Sequence, residues 1–274
     1  SSDLGDQPLT DGTLVDSPDA ADGSSISAGA GITVAATCDQ EIRNNAIAVA
    51  VSVSVAPDFA SAAGAGSGAS STITTNNIIK SAINGVSDLT VGGSNGLSVT
   101  ASDSGSNDIT VGTAAASIGW FGASIGISLA EITNNDQIVA EIQQSTIQTT
   151  GTDTTGAPIE VIATDTVQLT TDAVATSLSI SIGASGAGGK SNITSNADVA
   201  ASLGDGSTVT AVTGYAPGEL KINAHSSEAL LAEIFGGPAG LGSVGVFNSD
   251  AIRAGSTMAS IDTAGADRKS TRLN

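Results

Sequence analysis

A short alternating segment ending in alanine occurs four times in this chain: Ile32-Thr-Val34-Ala-Ala36, Leu97-Ser-Val99-Thr-Ala101, Ile159-Glu-Val161-Ile-Ala163 and Leu220-Lys-Ile222-Asn-Ala224. Successive starts differ by 65, 62 and 61. A second anchor, Ile73-Thr-Thr-Asn76, Ile132-Thr-Asn-Asn135 and Ile193-Thr-Ser-Asn196, recurs at offsets of 59 and 61. Ten residues beyond each of these comes another apolar position, Ile83, Ile142 or Leu203, and a weaker fourth copy falls around Ile252 and Ile261, nine residues apart. Self-similarity at a fixed period implies stacked units that bury their apolar faces against one another. It constrains the fold before any single residue does.

Within each unit the dominant period is two. Ala46–Val55 reads A-I-A-V-A-V-S-V-S-V and Ser177–Gly183 reads S-L-S-I-S-I-G. Alternation of β-branched with small residues, punctuated by clusters such as Gly93-Ser-Asn-Gly96 and Gly204-Asp-Gly206, signals half-buried strands joined by turns. Ser226–Phe235 locally resembles a capped helix, but its place in the repeat matches strand-like residues of the third copy, so it is read as strand. The composition agrees. Hydrophobic residues make up 40% of the chain and aromatics only 2%, with 34 glycines, so the core must be layered from small and β-branched side chains.

These features predict an all-β chain folded as a parallel β-solenoid (β-helix) of about four units of ~60 residues, each forming roughly three coils of about 20 residues. About twelve coils at the strand spacing of ~4.8 Å would give a rod roughly 55–60 Å long. The recurring asparagine is expected at a corner, hydrogen-bonding along the stack. The alternative is a string of small β-sandwich domains. Units near 60 residues are short for a sandwich of about 100, and the buried aromatic anchor of such domains is missing.

Both ends resemble translated sequencing adapter: Ser1–Leu4 reads S-S-D-L, and Asp267–Asn274 reads D-R-K-S-T-R-L-N. The expected organisation is therefore 1–4 adapter, 5–266 one repetitive solenoid segment with units starting near 32, 97, 159 and 220, and 267–274 adapter. Residues 5–266 hold 5 basic and 25 acidic residues, a net charge of −20. That charge argues against nucleic acid or an anionic membrane as partner. A single cysteine, Cys38, excludes an intrachain disulfide and a thiolate metal cluster.

Few motifs suggest chemistry. Ala184–Ser191 reads A-S-G-A-G-G-K-S, a relaxed P-loop pattern. Aligned on the Ile-Thr anchor, however, Lys190 falls opposite Ser70 and Leu129, and Asn192-Ile-Thr-Ser-Asn196 follows where a phosphate-binding helix would have to start. No nucleotide is expected. His225, the only histidine, occupies the slot filled by Thr37, Ser102 and Thr164 in the other copies, so it is expected to face solvent and to serve no triad. Asp103–Asp108 and Thr152–Asp165 carry oxygen ligands near turns, but neither has EF-hand or nonapeptide calcium spacing. Trp120-Phe121, the only adjacent aromatic pair, offers an exposed contact patch as one reading, but it lies in the glycine-rich strand-like run Ile118–Ile127 and is expected in the core or in stacking contacts. No catalytic, cofactor-binding or metal-binding residue is assigned, and no cofactor.

Ser177–Gly183 followed by Gly186-Ala-Gly-Gly189, Gly240-Leu-Gly-Ser-Val-Gly-Val-Phe247 and the Ile-Thr-x-Asn corners resemble the passenger regions of giant bacterial surface adhesins of the filamentous-haemagglutinin-like kind. The resemblance implies an exported cell-surface or extracellular protein that uses a β-helix as stalk or contact surface, with host-surface, matrix or neighbouring-cell molecules as partners. It carries no site residue across. The competing functional readings are part of a β-helix polysaccharide lyase or hydrolase, which requires clustered carboxylates, basic residues and aromatics on one face, and a weak calcium-binding repeat module. Exposed strands at the solenoid ends are expected to drive self-association.

Overall fold

The computed structural model describes residues 13–15, 25–55, 62–151, 156–216 and 218–262. All regular structure among them is strand. After β1 (Thr13–Val15), a first coil holds β2 (Ser25–Ala28), β3 (Ile32–Cys38), β4 (Glu41–Val53), β5 (Ala62–Thr75) and β6 (Ile78–Asn84). The second holds β7 (Asp88–Val91), β8 (Leu97–Asp103), β9 (Ser106–Ile118), β10 (Phe121–Asn134) and β11 (Gln137–Gln143). The third holds β12 (Thr146–Thr149), β13 (Ile159–Asp165), β14 (Gln168–Ile180), β15 (Ala184–Ser195) and β16 (Asp198–Leu203). The fourth holds β17 (Thr208–Ala211), β18 (Leu220–Ser226), β19 (Ala229–Ala239), β20 (Gly242–Arg253) and β21 (Thr257–Ile261).

Each strand pairs in parallel with its counterpart in the coils above and below, giving five sheets that run along the stack. The fold is a parallel β-solenoid. The alternating anchors are in register: Ile32 lies beside Leu97, Leu97 beside Ile159 and Ile159 beside Leu220. Residues one unit apart are therefore nearest neighbours, so each unit is one coil of five strands, and the expected three coils per unit are corrected to one. The long strands explain the difference: β9 and β10 use 13 and 14 residues on a single level of the stack, where a coil one third as long has room only for short ones. The fourth copy of the second anchor is also corrected. Ile193 pairs with Ala251, not Ile252, and Leu203 with Ile261, which restores the spacing of ten.

The coil is elongated in cross-section. A cap sheet (β2, β7, β12, β17) closes one end, and two body sheets (β3, β8, β13, β18 facing β6, β11, β16, β21) enclose the larger core. Columns such as Val34–Val99–Val161 from one body sheet meet Ile83, Ile142 and Leu203 from the other. Leu97, Val99, Ile138, Ile142 and Ile147 are fully buried, each contributing about 1.5–3 kcal/mol. Glycine makes one tight corner possible: Gly96 has φ +62°, and a Cβ there would lie 1.9 Å from the Pro158 carbonyl oxygen of the next coil. At another corner the asparagines form the expected ladder, Asn135 Nδ2 donating to Asn76 Oδ1 at 3.0 Å and Asn196 Nδ2 to Asn135 Oδ1 at 2.9 Å.

Beyond the body, β4, β9, β14 and β19 face β5, β10, β15 and β20 as a flattened arm. Its base holds a second apolar cluster around Ile109, Val111, Ile132 and Ile193. Further out, the inner face is serine, threonine, alanine and glycine. Thr113 Oγ1 lies 3.0 Å from Ser128 Oγ, and Ser128 Oγ donates to the Val174 carbonyl at 2.5 Å. Side chains this short reach the opposite backbone only if the two sheets lie closer than the usual ~10 Å.

Candidate functional site

Two features stand out: a buried polar neck between body and arm, and the apolar exterior of the arm.

The neck forms where the chain turns from a body strand into an arm strand. Asp103 and Asp165 stack in register at the ends of β8 and β13, followed by Ser226 at the end of β18. Both carboxylates are buried, and each accepts the backbone N–H two residues on: Gly105 N to Asp103 Oδ1 at 3.3 Å, Val167 N to Asp165 Oδ1 at 3.2 Å. Ser226 Oγ also donates to Asp165 Oδ2 at 3.0 Å. These are Asx turns, which bend the chain while satisfying its backbone. Across the neck, Asp136 accepts from the Asn77 backbone N–H at 2.6 Å, and Asn134 Oδ1 accepts from Thr75 Oγ1 at 2.9 Å. Glu228 accepts from Asn134 Nδ2 at 3.3 Å, from Ser195 Oγ and from Arg253 Nε at 2.8 Å.

Burial disfavours the ionised carboxylates. It pushes Asp103 up to about 6, opposed by the Gly105 N–H and reinforced by Asp136 and Asp165. Asp165 is likewise raised, first by burial and then by Glu228, against the pull of the Ser226 and Val167 donors. Burial, with Asp103 and Asp136 nearby, raises the Cys38 thiol, the direction opposite to that of a reactive thiolate. The carboxylate oxygens of Asp103, Asp165 and Asp136 accept from backbone N–H groups at the corners. No group of three or more histidine, cysteine, aspartate or glutamate side chains among the described residues is arranged to hold a metal ion.

The other candidates are dispersed. Ala184–Ser191 lies within β15, so the P-loop-like residues run straight along a strand, and Lys190 sits between Leu129 and Asn248 in register. His225 is exposed, beside Thr164, and Thr164 beside Ser102, as the repeat requires. Asp103 points inward while Asp108 lies on the outer face of β9, which separates the first acidic cluster; residues 152–155 of the second lie outside the described residues. So do Ser1–Leu4 and Asp267–Asn274. Trp120 and Phe121 correct the expectation of a core role. They sit at the arm tip, 49% and 53% exposed, because the turn from β9 into β10 leaves their side chains no interior to enter.

The arm exterior is the feature that sequence reasoning missed. On β4 the alternation puts Ala48, Ala50 and Ser52 inward and leaves Ile47, Val49, Val51 and Val53 59–77% exposed. On β10, Ser124 and Ser128 are buried while Ile125 and Ile127 face out. A free sheet does the reverse, apolar inward and polar outward. The period-two signal specifies a strand, but it does not say which parity faces in. The available hint is volume: every other residue of Ala46–Val55 is alanine or serine, which suits a thin interior.

No protein-family model, no curated protein and no solved structure matches this chain.

Proposed function

We propose that the chain is a structural or adhesive segment of an exported bacterial surface protein, a stalk or contact surface without catalysis of its own. One observation carries this reading: the buried acids of the neck, the groups best suited to chemistry, are committed to turns that recur from coil to coil. A lyase or hydrolase needs its carboxylates aimed into an open groove. The repeated coil supplies length and a regular outer surface, the properties a stalk or contact face needs, with host-surface, matrix or neighbouring-cell molecules as partners. Sequencing the source DNA outward from both ends tests it. Further units of the same period, leading to an export signal or surface anchor, are expected. A frame that closes around a compact protein with an added carboxylate-rich segment overturns it.

A further inference from the structure

At two positions on each outer face of the arm, bulk alternates from coil to coil, in opposite phase on the two sides; the flanking columns do not follow it, Val53, Ile118 and Ile180 being large in three successive coils and Val174 lying beside Phe235. On the first arm sheet, Val49 and Val51 of coil 1 lie in register with Ala114 and Ala116 of coil 2. These lie beside Thr176 and Leu178 of coil 3, which pair with Gly237 and Ala239 of coil 4. The order is large, small, large, small. On the second arm sheet, Gly66 and Gly68 of coil 1 lie beside Ile125 and Ile127 of coil 2. Those flank Gly186 and Gly188 of coil 3, which pair with Val244 and Val246 of coil 4. Here the order is small, large, small, large.

Alternation within one sheet relieves crowding between stacked β-branched side chains. It does not explain why the two sheets are in antiphase. The two strands of a coil are level near Thr113, whose Oγ1 lies 3.0 Å from Ser128 Oγ and 3.4 Å from where a Cβ on Gly126 would sit. Ala114 and Ile127 are therefore at about the same distance from the tip. A second arm laid against the first, tips aligned and coil opposite coil, sets Ile125 and Ile127 into the groove over Ala114 and Ala116. It also sets Val49 and Val51 over Gly66 and Gly68, Leu178 over Gly186, and Val244 and Val246 over Gly237 and Ala239. The groove already exists, a hollow of about 320 Å³ between Val49, Val51 and Leu178.

We propose that the arm is a lateral docking surface for a second copy of this chain, the first arm sheet of one copy packing in coil register on the second arm sheet of the next. Such a heterologous contact repeats without closing and builds ribbons of side-by-side solenoids. A lipid surface has no reason to select the phase of ridges and grooves. Seven residues by four strands make each face roughly 20 Å × 19 Å, about 400 Å², below the ~800 Å² per partner of a standard interface. The contact between four-coil chains is accordingly weak, and it strengthens with coil number. The proposal concerns the sides of the solenoid and holds whether or not the chain is exported.

Disulfide trapping tests it on the full chain in a Cys38→Ser background. Chains carrying Ala114→Cys are mixed with chains carrying Ile127→Cys and oxidised gently, with Ala116→Cys and Ile125→Cys as a second pair should either variant lose its β-sheet circular dichroism. Mixed dimers are expected to exceed either homodimer at least tenfold, with negligible flotation on phosphatidylcholine vesicles. A statistical 1:2:1 distribution, a dominant Ala114→Cys homodimer, or oligomers without cross-links (association through the solenoid ends alone) overturns it. Vesicle binding by an otherwise monomeric chain, lost on Ile127→Asn, also overturns it and assigns the face to lipid.

Discussion

The buried neck makes a pH-dependent prediction. Asp103 is almost fully buried, and its carboxyl rises from 3.8 to about 6. At about 1.4 kcal/mol per pH unit, the rise sets a ceiling of about 3 kcal/mol on the stability lost when Asp103 ionises. Solvent near the corner reduces this to about 1–2 kcal/mol. Because the folded value lies above the unfolded one, the folded chain binds more protons between about pH 4 and pH 6. Stability is therefore full below pH 4 and falls as pH rises through 6; Asp165, also raised, acts in the same direction. Asp103→Asn keeps an oxygen to accept the Gly105 N–H but cannot ionise. Urea unfolding of variant and parent, followed by circular dichroism on dilute samples, is expected to show little difference near pH 4. Near pH 8 the variant should be more stable by about 1–2 kcal/mol. A variant no more stable than the parent at pH 8, or an advantage that shrinks as pH rises, shows that ionisation of buried Asp103 does not destabilise the fold.

Other perturbations probe the remaining contacts. Ile138→Ala empties a site with 0% exposure in the body core and should lower unfolding stability by about 3–4 kcal/mol. Asn135→Ala removes both hydrogen bonds of the asparagine ladder; the residue is only half-buried, so the change should cost about 1 kcal/mol in the same assay. Gly96→Ala drives a Cβ onto the Pro158 carbonyl from a left-handed backbone. It should destabilise by more than ~2 kcal/mol and raise protease cleavage at the cap-sheet corner.

Much of the fold is legible because stacking makes register a property of the sequence. The spacings from Ile32 to Leu97 to Ile159 to Leu220 are the strand pairings themselves, and the asparagine ladder and the place of His225 follow from the same alignment. Coil size is not legible. Alternation reports that a segment is extended, not where the chain bends around the core, so one unit could equally have been three short coils. The arm is hidden for a related reason: Ala46–Val55 alternates whichever side faces in, and the usual assumption that valine and isoleucine face inward fails where the interior has room only for serine and alanine. The neck is partly visible. Asp103 belongs to a recognisable acidic cluster, but its pairing with Asp165 depends on register, and the contribution of Glu228 depends on how the corner packs.

One coil per repeat fixes the distance between Thr37 and His225, which end the Thr37–Ser102–Thr164–His225 column. Both are exposed and accept spin labels after substitution by cysteine in the Cys38→Ser background. Three strand spacings separate them, so continuous-wave electron paramagnetic resonance on magnetically diluted chains should show dipolar broadening for a backbone separation of about 14–15 Å. Three short coils per repeat would place the same residues nine spacings apart, about 43 Å; a pulsed dipolar distance near that value, without broadening, rules out one coil per repeat.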